Sequence, residues 1–389
     1  MSKWNYLTLD EMGEVSRGRS RHRPRNDSKL YGGKYPFIQT GDVGSAGLYI
    51  NKYSQTYNEE GLAQSKLWAK DTLCITIAAN IADTGLLAFP ACFPDSIMGF
   101  TAKKGVSNVK FVKYSFDILQ KECQLISQGA AQDNLSWKKL STIKFPCPPI
   151  EVQDKIVEVL YRYDSLIENY QKQIKLLEEA AQRLYKEWFI DLHFPGHENT
   201  NIIDGVPEGW EKKKLIDLVN VQYGYAFDGH LFNSKGEGTP IVRIRNIPDG
   251  YTNDYTTEEA NESYIVNDGD LLIGMDGIFH INTWCGGKAY LVQRACSFRP
   301  KDVSMKGFIL QAIFEPIKFF ENTVVGATVA HLGKKHIDSI ELLVSNNDKM
   351  YKPFEKMFNE RQTLKSQLRL LTEARDRLLP KLMNCEINV

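Results

Sequence analysis

At 389 residues, 42% apolar and 25% charged, the chain is long enough for two or three domains, each burying its own core. No apolar run approaches a membrane span, the Met-Ser-Lys-Trp-Asn-Tyr start has no signal pattern, and seven scattered cysteines (74, 92, 123, 147, 285, 296, 385) suit reduced thiols in a cytoplasm rather than disulfides or a zinc site. A net charge of zero argues against a nucleic-acid binder only on average, because residues 1–148 carry +6, residues 149–206 carry −5, residues 207–345 carry −4 and the tail from 346 carries +3.

Residues 1–148 mix short β-branched runs, such as Leu73–Ile77, with Gly-, Asn- and Asp-rich breaks, and are expected to form a compact α/β globule. Arg17, Arg19, Arg21, Arg23 and Arg25 occupy alternate positions, with His22 and Pro24 among them. An extended backbone would set all five guanidinium groups on one side, where arginine clamps phosphate or pairs with guanine. A solvated basic loop, or a loop facing an acidic protein partner, gives the same spacing. Further on, Pro36-Phe37-Ile38 opens a strand that runs into Gln39, Thr40 and Asp42.

Residues 149–192 predict a long helix, since nothing between Glu151 and Phe189 is proline or glycine. Its apolar positions fall at Ile156, Leu160, Tyr163, Ile167, Tyr170, Ile174, Leu177, Ala181, Leu184 and Trp188, in alternating steps of four and three. That is the 3.5-residue period of a coiled-coil seam; a surface helix of period 3.6 lying on its own domain, the alternative, would drift away from it. Residues 193–206 are expected to link this helix to a second globule, 207–345. Residues 346–389 supply a second helix, with Met350, Phe354, Met357, Arg361, Leu364, Leu368, Leu371, Arg375, Leu378 and Leu382 on the seam. Two arginines interrupt that seam, and Pro380 is expected to end or kink the helix before Leu382.

The order globule–helix–globule–helix reflects an internal repeat. Trp4, Leu9, Met12, Val15 and Gly18 match Trp210, Leu215, Leu218, Val221 and Gly224; Pro36-Phe37-Ile38 matches Pro240-Ile241-Val242. Leu73 and Ile75 match Leu271 and Ile273, and Gly129, Leu135 and Ile143 match Gly326, Leu332 and Ile340. Leu177, Glu179, Ala180, Arg183 and Leu184 match Leu371, Glu373, Ala374, Arg377 and Leu378. Duplication favours antiparallel packing of the two helices into a rod of about 50–57 Å. The copies differ most where recognition loops would lie. Tyr223-Gly224-Tyr225 stands in place of the arginine row, and Arg243, Arg245 and Asn246 stand opposite Gln39, Thr40 and Asp42, as base contacts or as ordinary turn chemistry. No base amino-methylation motif, phosphate loop or metal-ligand spacing is found, which argues against catalysis.

The strings Gln128–Ser136, Phe145–Gln153, Leu184–Phe189, Phe194–His197 and Leu378–Met383, in this order and with the repeat, resemble the DNA-specificity subunits of type I restriction–modification enzymes. Asp270–Gly277 looks familial too, making Met275 and Asp276 candidate contacts, whereas the split Glu151-Val152-Gln153, Val292 before Gln293-Arg294, and Cys385 depart from the family's pattern. The resemblance implies an α/β (α+β) fold of tandem target-recognition domains, each followed by a helix, with the helices pairing as an antiparallel coiled coil. It implies a non-catalytic chain that reads a bipartite site in double-stranded DNA and docks two methyltransferase subunits and motor–nuclease subunits. S-adenosylmethionine, ATP and Mg2+ would then bind those partners. Rival readings are the recognition subunit of a two-gene enzyme that both methylates and cuts, and a coiled-coil scaffold that never touches DNA.

Overall fold

A computed structural model describes residues 4–78, 81–127, 137–323, 330–387 and 389. The string 128–136 and the repeat positions Gly129, Leu135 and Gly326 lie outside the described residues. The chain divides into two compact units, one made of residues 1–168 with 371–389 and the other of residues 169–370. Each long helix, Ile150–Tyr185 and Lys352–Met383, therefore contributes one part to each unit. Among the described residues no helix is long and apolar enough to cross a membrane.

In the first unit, strands Gly13–Arg17, Ile97–Ala102, Leu73–Thr76, Thr84–Leu87 and Tyr49–Ile50 lie side by side in that order, antiparallel except for the last pair. Alternation along a strand sends successive side chains to opposite faces. Leu73 and Ile75 accordingly pack with Phe100 against Val112 and Phe116 of the helix Val109–Ser127. Cys74 faces the other way, among Ile38, Val43, Trp68, Phe93 and Ile97. Apart from the sheet, Asn5–Leu7 pairs with Phe145–Cys147 at the mouth of the long helix. There the buried Gln153 fixes the helix entry: its Oε1 accepts from Asn108 N–H (2.8 Å) and its Nε2 donates to the carbonyls of Val106 (2.9 Å) and Pro148 (2.8 Å).

The second unit repeats this plan. Val219–Tyr223, Ala295–Pro300, Leu271–Gly274 and Ile281–Thr283 form an antiparallel sheet in that order, and Trp210–Lys214 pairs with Glu341–Ser345. Leu271, Ile273 and Phe298 pack against Phe308, Ile309, Ile313 and Ile317, while Leu272 turns to Val242, Trp284 and Leu291. Two glycines are held at the same place in both copies by close backbone approach. A Cβ on Gly18 would stand 2.3 Å from the Pro94 carbonyl oxygen, and one on Gly224 would stand 2.1 Å from that of Val292. The segment 193–206 is partly built into this unit, since Phe194 is buried in its core and Ile202–Ile203 pairs with Val206–Pro207.

The long helices run antiparallel within each unit. In the first, Ile156, Val157 and Leu160 pack with Leu379, Leu382 and Met383 around Phe111 and Tyr114. In the second, Leu184 and Trp188 meet the core that holds Phe354 and Met357. All twenty seam positions are buried or half-buried. Pro380 does not end the helix, which continues through it to Met383, and Leu382 is only 1% exposed. Burying Leu379, Leu382 and Met383 is worth roughly 1.5–3 kcal/mol for each side chain, which together outweighs the ~3 kcal/mol cost of a helical proline. The seam arginines are not gaps either. Arg375 Nη1 donates to Asp164 (3.0 Å), which also accepts from the buried Tyr114 hydroxyl (2.5 Å). Arg361, two heptads earlier, donates to Glu178 (2.6 Å), Thr283 Oγ1 (2.8 Å) and Asn282 Oδ1 (3.0 Å). Lys365, one turn on, donates to Asn282 Oδ1 (2.8 Å) and the Thr283 carbonyl (2.6 Å). Burial, with the Arg361 charge beside it, pulls the Lys365 pKa down to about 7.

Candidate nucleic-acid interface

The arginine row leaves the end of strand Gly13–Arg17 and stays extended only as far as Arg21. Gly18 and Ser20 point inward, and Arg17, Arg19 and Arg21 point out, their side chains holding no partner among the described residues. Two residues of the neighbouring loop hold this strap. Gln64 Oε1 accepts from the backbone N–H of Arg21 (2.6 Å) and of His22 (3.0 Å), and Ser65 Oγ donates to the Arg19 carbonyl (2.7 Å). Beyond Arg21 the backbone bends, so the expected row of five stops at three. His22 Nε2 meets Asp27 Oδ2 at 2.8 Å, and the Lys29 backbone N–H and His22 hold the Asp27 carboxyl below its ordinary range. Arg23 folds back to donate to the carbonyls of Ser20 (2.7 Å) and His22 (2.8 Å), and Arg25 pairs with Asp95 (2.6 Å).

Several polar candidates serve turns. Gln39 caps the short helix Thr40–Gly44, whose Asp42 accepts the Gln39 N–H (2.8 Å); Gln39 Nε2 donates to Gln55 (2.8 Å), and Thr40 is half-buried. At the matching place in the second unit, Asn246 Oδ1 accepts the Arg243 N–H (2.9 Å). Arg245 spends Nε (3.1 Å) and Nη2 (2.7 Å) on Asp254. Partial burial works to raise the Asp254 carboxyl, but its bonds to Arg245 and Asn246 outweigh that and leave it below the ordinary range. Met275 is 6% exposed and belongs to the core, which removes it as a direct contact. Tyr223 is half-buried against the same core, and Tyr225 packs its ring against Phe227 and Tyr264.

What remains outward-facing in the second unit gathers around one open cleft of about 630 Å3, lined by Phe227, Phe232, Arg243, His280, Gln293 and Arg294 among others. Arg243 lies over the Phe232 ring, 5.4 Å from its centroid. At the rim, Asp276 Oδ2 accepts from Arg294 Nη1 (2.6 Å) and Oδ1 meets His331 Nδ1 (2.5 Å). Burial raises the Asp276 carboxyl, and the His331 and Arg294 bonds more than reverse this, so it stays ionised. Arg17, Arg19 and Arg21 in the first unit and Arg294 in the second thus lie exposed beside the repeated glycine contact.

Residues 1–179 and 207–365 match the family model of the type I restriction modification DNA specificity domain. The chain belongs to that family. It is 25% identical to the MjaIX specificity subunit of Methanocaldococcus jannaschii, over 99% of this chain and 94% of that one. The HindI specificity subunit of Haemophilus influenzae is 21% identical over the full length of both. The fold is that of the type I restriction–modification S subunit from M. genitalium, with a TM-score of 0.63 at 16% identity over 98% of this chain and 96% of that one. In this type I specificity chain, sequence reasoning missed Gln64, Ser65, His280, Gln293, Arg294 and His331. One signal for the cleft was present: Gln293-Arg294 follows the Val292 that departs from the family's pattern, and at the matching turn the first domain carries Asp95-Ser96.

Proposed function

We propose that this chain is the non-catalytic subunit that gives a type I restriction–modification complex its DNA sequence preference. Each globular domain reads one half of a split, asymmetric site in double-stranded DNA. The paired helices set the gap and dock two methyltransferase subunits, to which motor–nuclease subunits add. S-adenosylmethionine, ATP and Mg2+ belong to those partners. The observation that carries this reading is duplication with selective divergence: two domains keep one core plan and one glycine contact, at Gly18 and Gly224, yet offer different side chains beside it. Two copies of one scaffold with unlike loops suit two unlike half-sites.

Exchanging residues 1–145 for the first domain of another family member tests this. In cells that supply the methyltransferase partner, one half of the modified motif should change while the other half and the gap stay the same. A change in both halves would show that the domains do not read independently.

A further inference from the structure

The rim of the second-domain cleft has two features that place Arg294. Arg294 adopts a left-handed backbone (φ 71°) between strands Ala289–Leu291 and Ala295–Pro300, a conformation that costs a non-glycine residue energy and persists where its surroundings impose it. The turn places Arg294 there, and Met275 N–H donates to its carbonyl at 2.8 Å. The second feature is the buttress. Arg294 is 68% exposed, whereas the Asp276 that holds its Nη1 is 13% exposed and is itself held by His331. Nε and Nη2 of Arg294 have no hydrogen-bond partner among the described residues. Arg245 is the useful contrast, since Asp254 takes the Nε–Nη2 edge of its guanidinium, the edge that Arg294 leaves open.

We propose that Arg294, buttressed by Asp276, reads a guanine in the second half-site; this rests on the DNA-reading function above. Guanine offers two acceptors, O6 and N7, on its major-groove edge, and a guanidinium meets both with two N–H groups. A carboxylate on the remaining nitrogen fixes the side chain in advance, so less rotamer freedom is lost on binding. A phosphate can take the same fork, but it would lower binding to every sequence alike when lost, whereas a guanine contact alters the preference at one base pair. Gln293, exposed beside Arg294, offers an amide to a neighbouring base edge.

The test uses the full chain with its methyltransferase partner in cells, reading the modified motif genome-wide for wild type, Arg294→Lys, Arg294→Gly and Asp276→Asn. Glycine favours the same backbone conformation, so Arg294→Gly removes the side chain without endangering the turn. Lysine keeps the charge and loses the fork. Arg294→Lys and Arg294→Gly should each relax one G·C position of the second half-site, with discrimination falling roughly 5- to 150-fold. The first half-site and the gap should be unchanged, and Asp276→Asn should relax the same position to a lesser extent. An intact motif in both Arg294 variants would overturn the proposal. So would a uniform fall in modification without altered base preference, as a phosphate contact gives, or a wild-type second half-site made only of A·T pairs. A wild-type complex that marks no bipartite motif would instead overturn the function itself, and this proposal with it.

Discussion

The two domains carry the same backbone strap and use it in opposite ways. Arg19 N–H donates to the Phe93 carbonyl (3.0 Å), and Tyr225 N–H donates to the Leu291 carbonyl (2.9 Å), at matching positions of the repeat. In the first domain this strap carries Arg17, Arg19 and Arg21 outward, their side chains without an ion-pair partner among the described residues, an arrangement suited to phosphate contacts. In the second domain the same strap turns its aromatics into the core, and the cations come from other loops, each oriented by an acid or a ring: Arg245 on Asp254, Arg294 on Asp276, Arg243 over Phe232. Core packing fixes the strap's path, and the outward side chains remain free to differ. The helix seats differ likewise. In the first unit Asp164 joins Tyr114 and Arg375, while in the second Arg361 and Lys365 reach into the sheet edge at Asn282 and Thr283.

The largest effect is expected at the first domain's row. Replacing Arg17, Arg19 and Arg21 together by alanine should lower the complex's DNA affinity by about 10^2- to 10^3-fold near 0.1 M salt and reduce the salt slope by nearly 3, measured by anisotropy across a salt series. Wild-type slope and affinity would place the row away from DNA and dissolve the contrast between the domains. Next comes the helix seat. Asp164→Ala strands both the Tyr114 hydroxyl and the Arg375 charge, and should cost about 2–3 kcal/mol in urea denaturation, partial exposure of Arg375 screening the rest. Glu178→Ala should cost about 1 kcal/mol, because Arg361 keeps Asn282 and Thr283. Equal losses would mean that the two seats are built alike.

Lys365 gives the second unit a pH signature opposite in sign to that of Lys34 in the first, which its bond to Glu59 holds above the ordinary range. The unfolded chain holds this proton to near 10.5 and the folded one releases it near 7, so between those values the unfolded state binds more protons and stability rises with pH. From pH 7 to pH 9 the wild type should gain about 2 kcal/mol relative to Lys365→Met. Parallel pH profiles for the two proteins would show that Lys365 stays charged in the folded state. The smallest effect should be at Arg245, whose fork is already occupied. Arg245→Ala should leave the salt slope within about 0.3 of wild type, and a drop near 0.9 would move Arg245 into the phosphate-binding set.

Much of the architecture was legible because periodicity and repetition are local properties of the chain. Steps of four and three located the seam from Ile156 to Trp188, and the offset between copies paired Leu73 with Leu271 and Gly18 with Gly224 before any contact was known. The site was legible only in part. Alternate arginines marked the row, but its end at Arg21 depends on Gln64, more than forty residues away. Polar residues after a strand were visible at Asp42 and Asn246, and whether they capped a turn or faced outward was not.

By itself the sequence determined the duplication, the helical seam and the absence of catalytic motifs, since each is written in spacing along the chain. Tertiary structure alone decided which cations are free. A charge is spent or available according to the acid across from it, and that acid can lie nine residues away, as Asp254 does from Arg245, or on the other long helix, as Glu178 does from Arg361 and Asp164 from Arg375. It also decided that Pro380 stays helical and Met275 is interior, because burial against a folded core outweighs local preference.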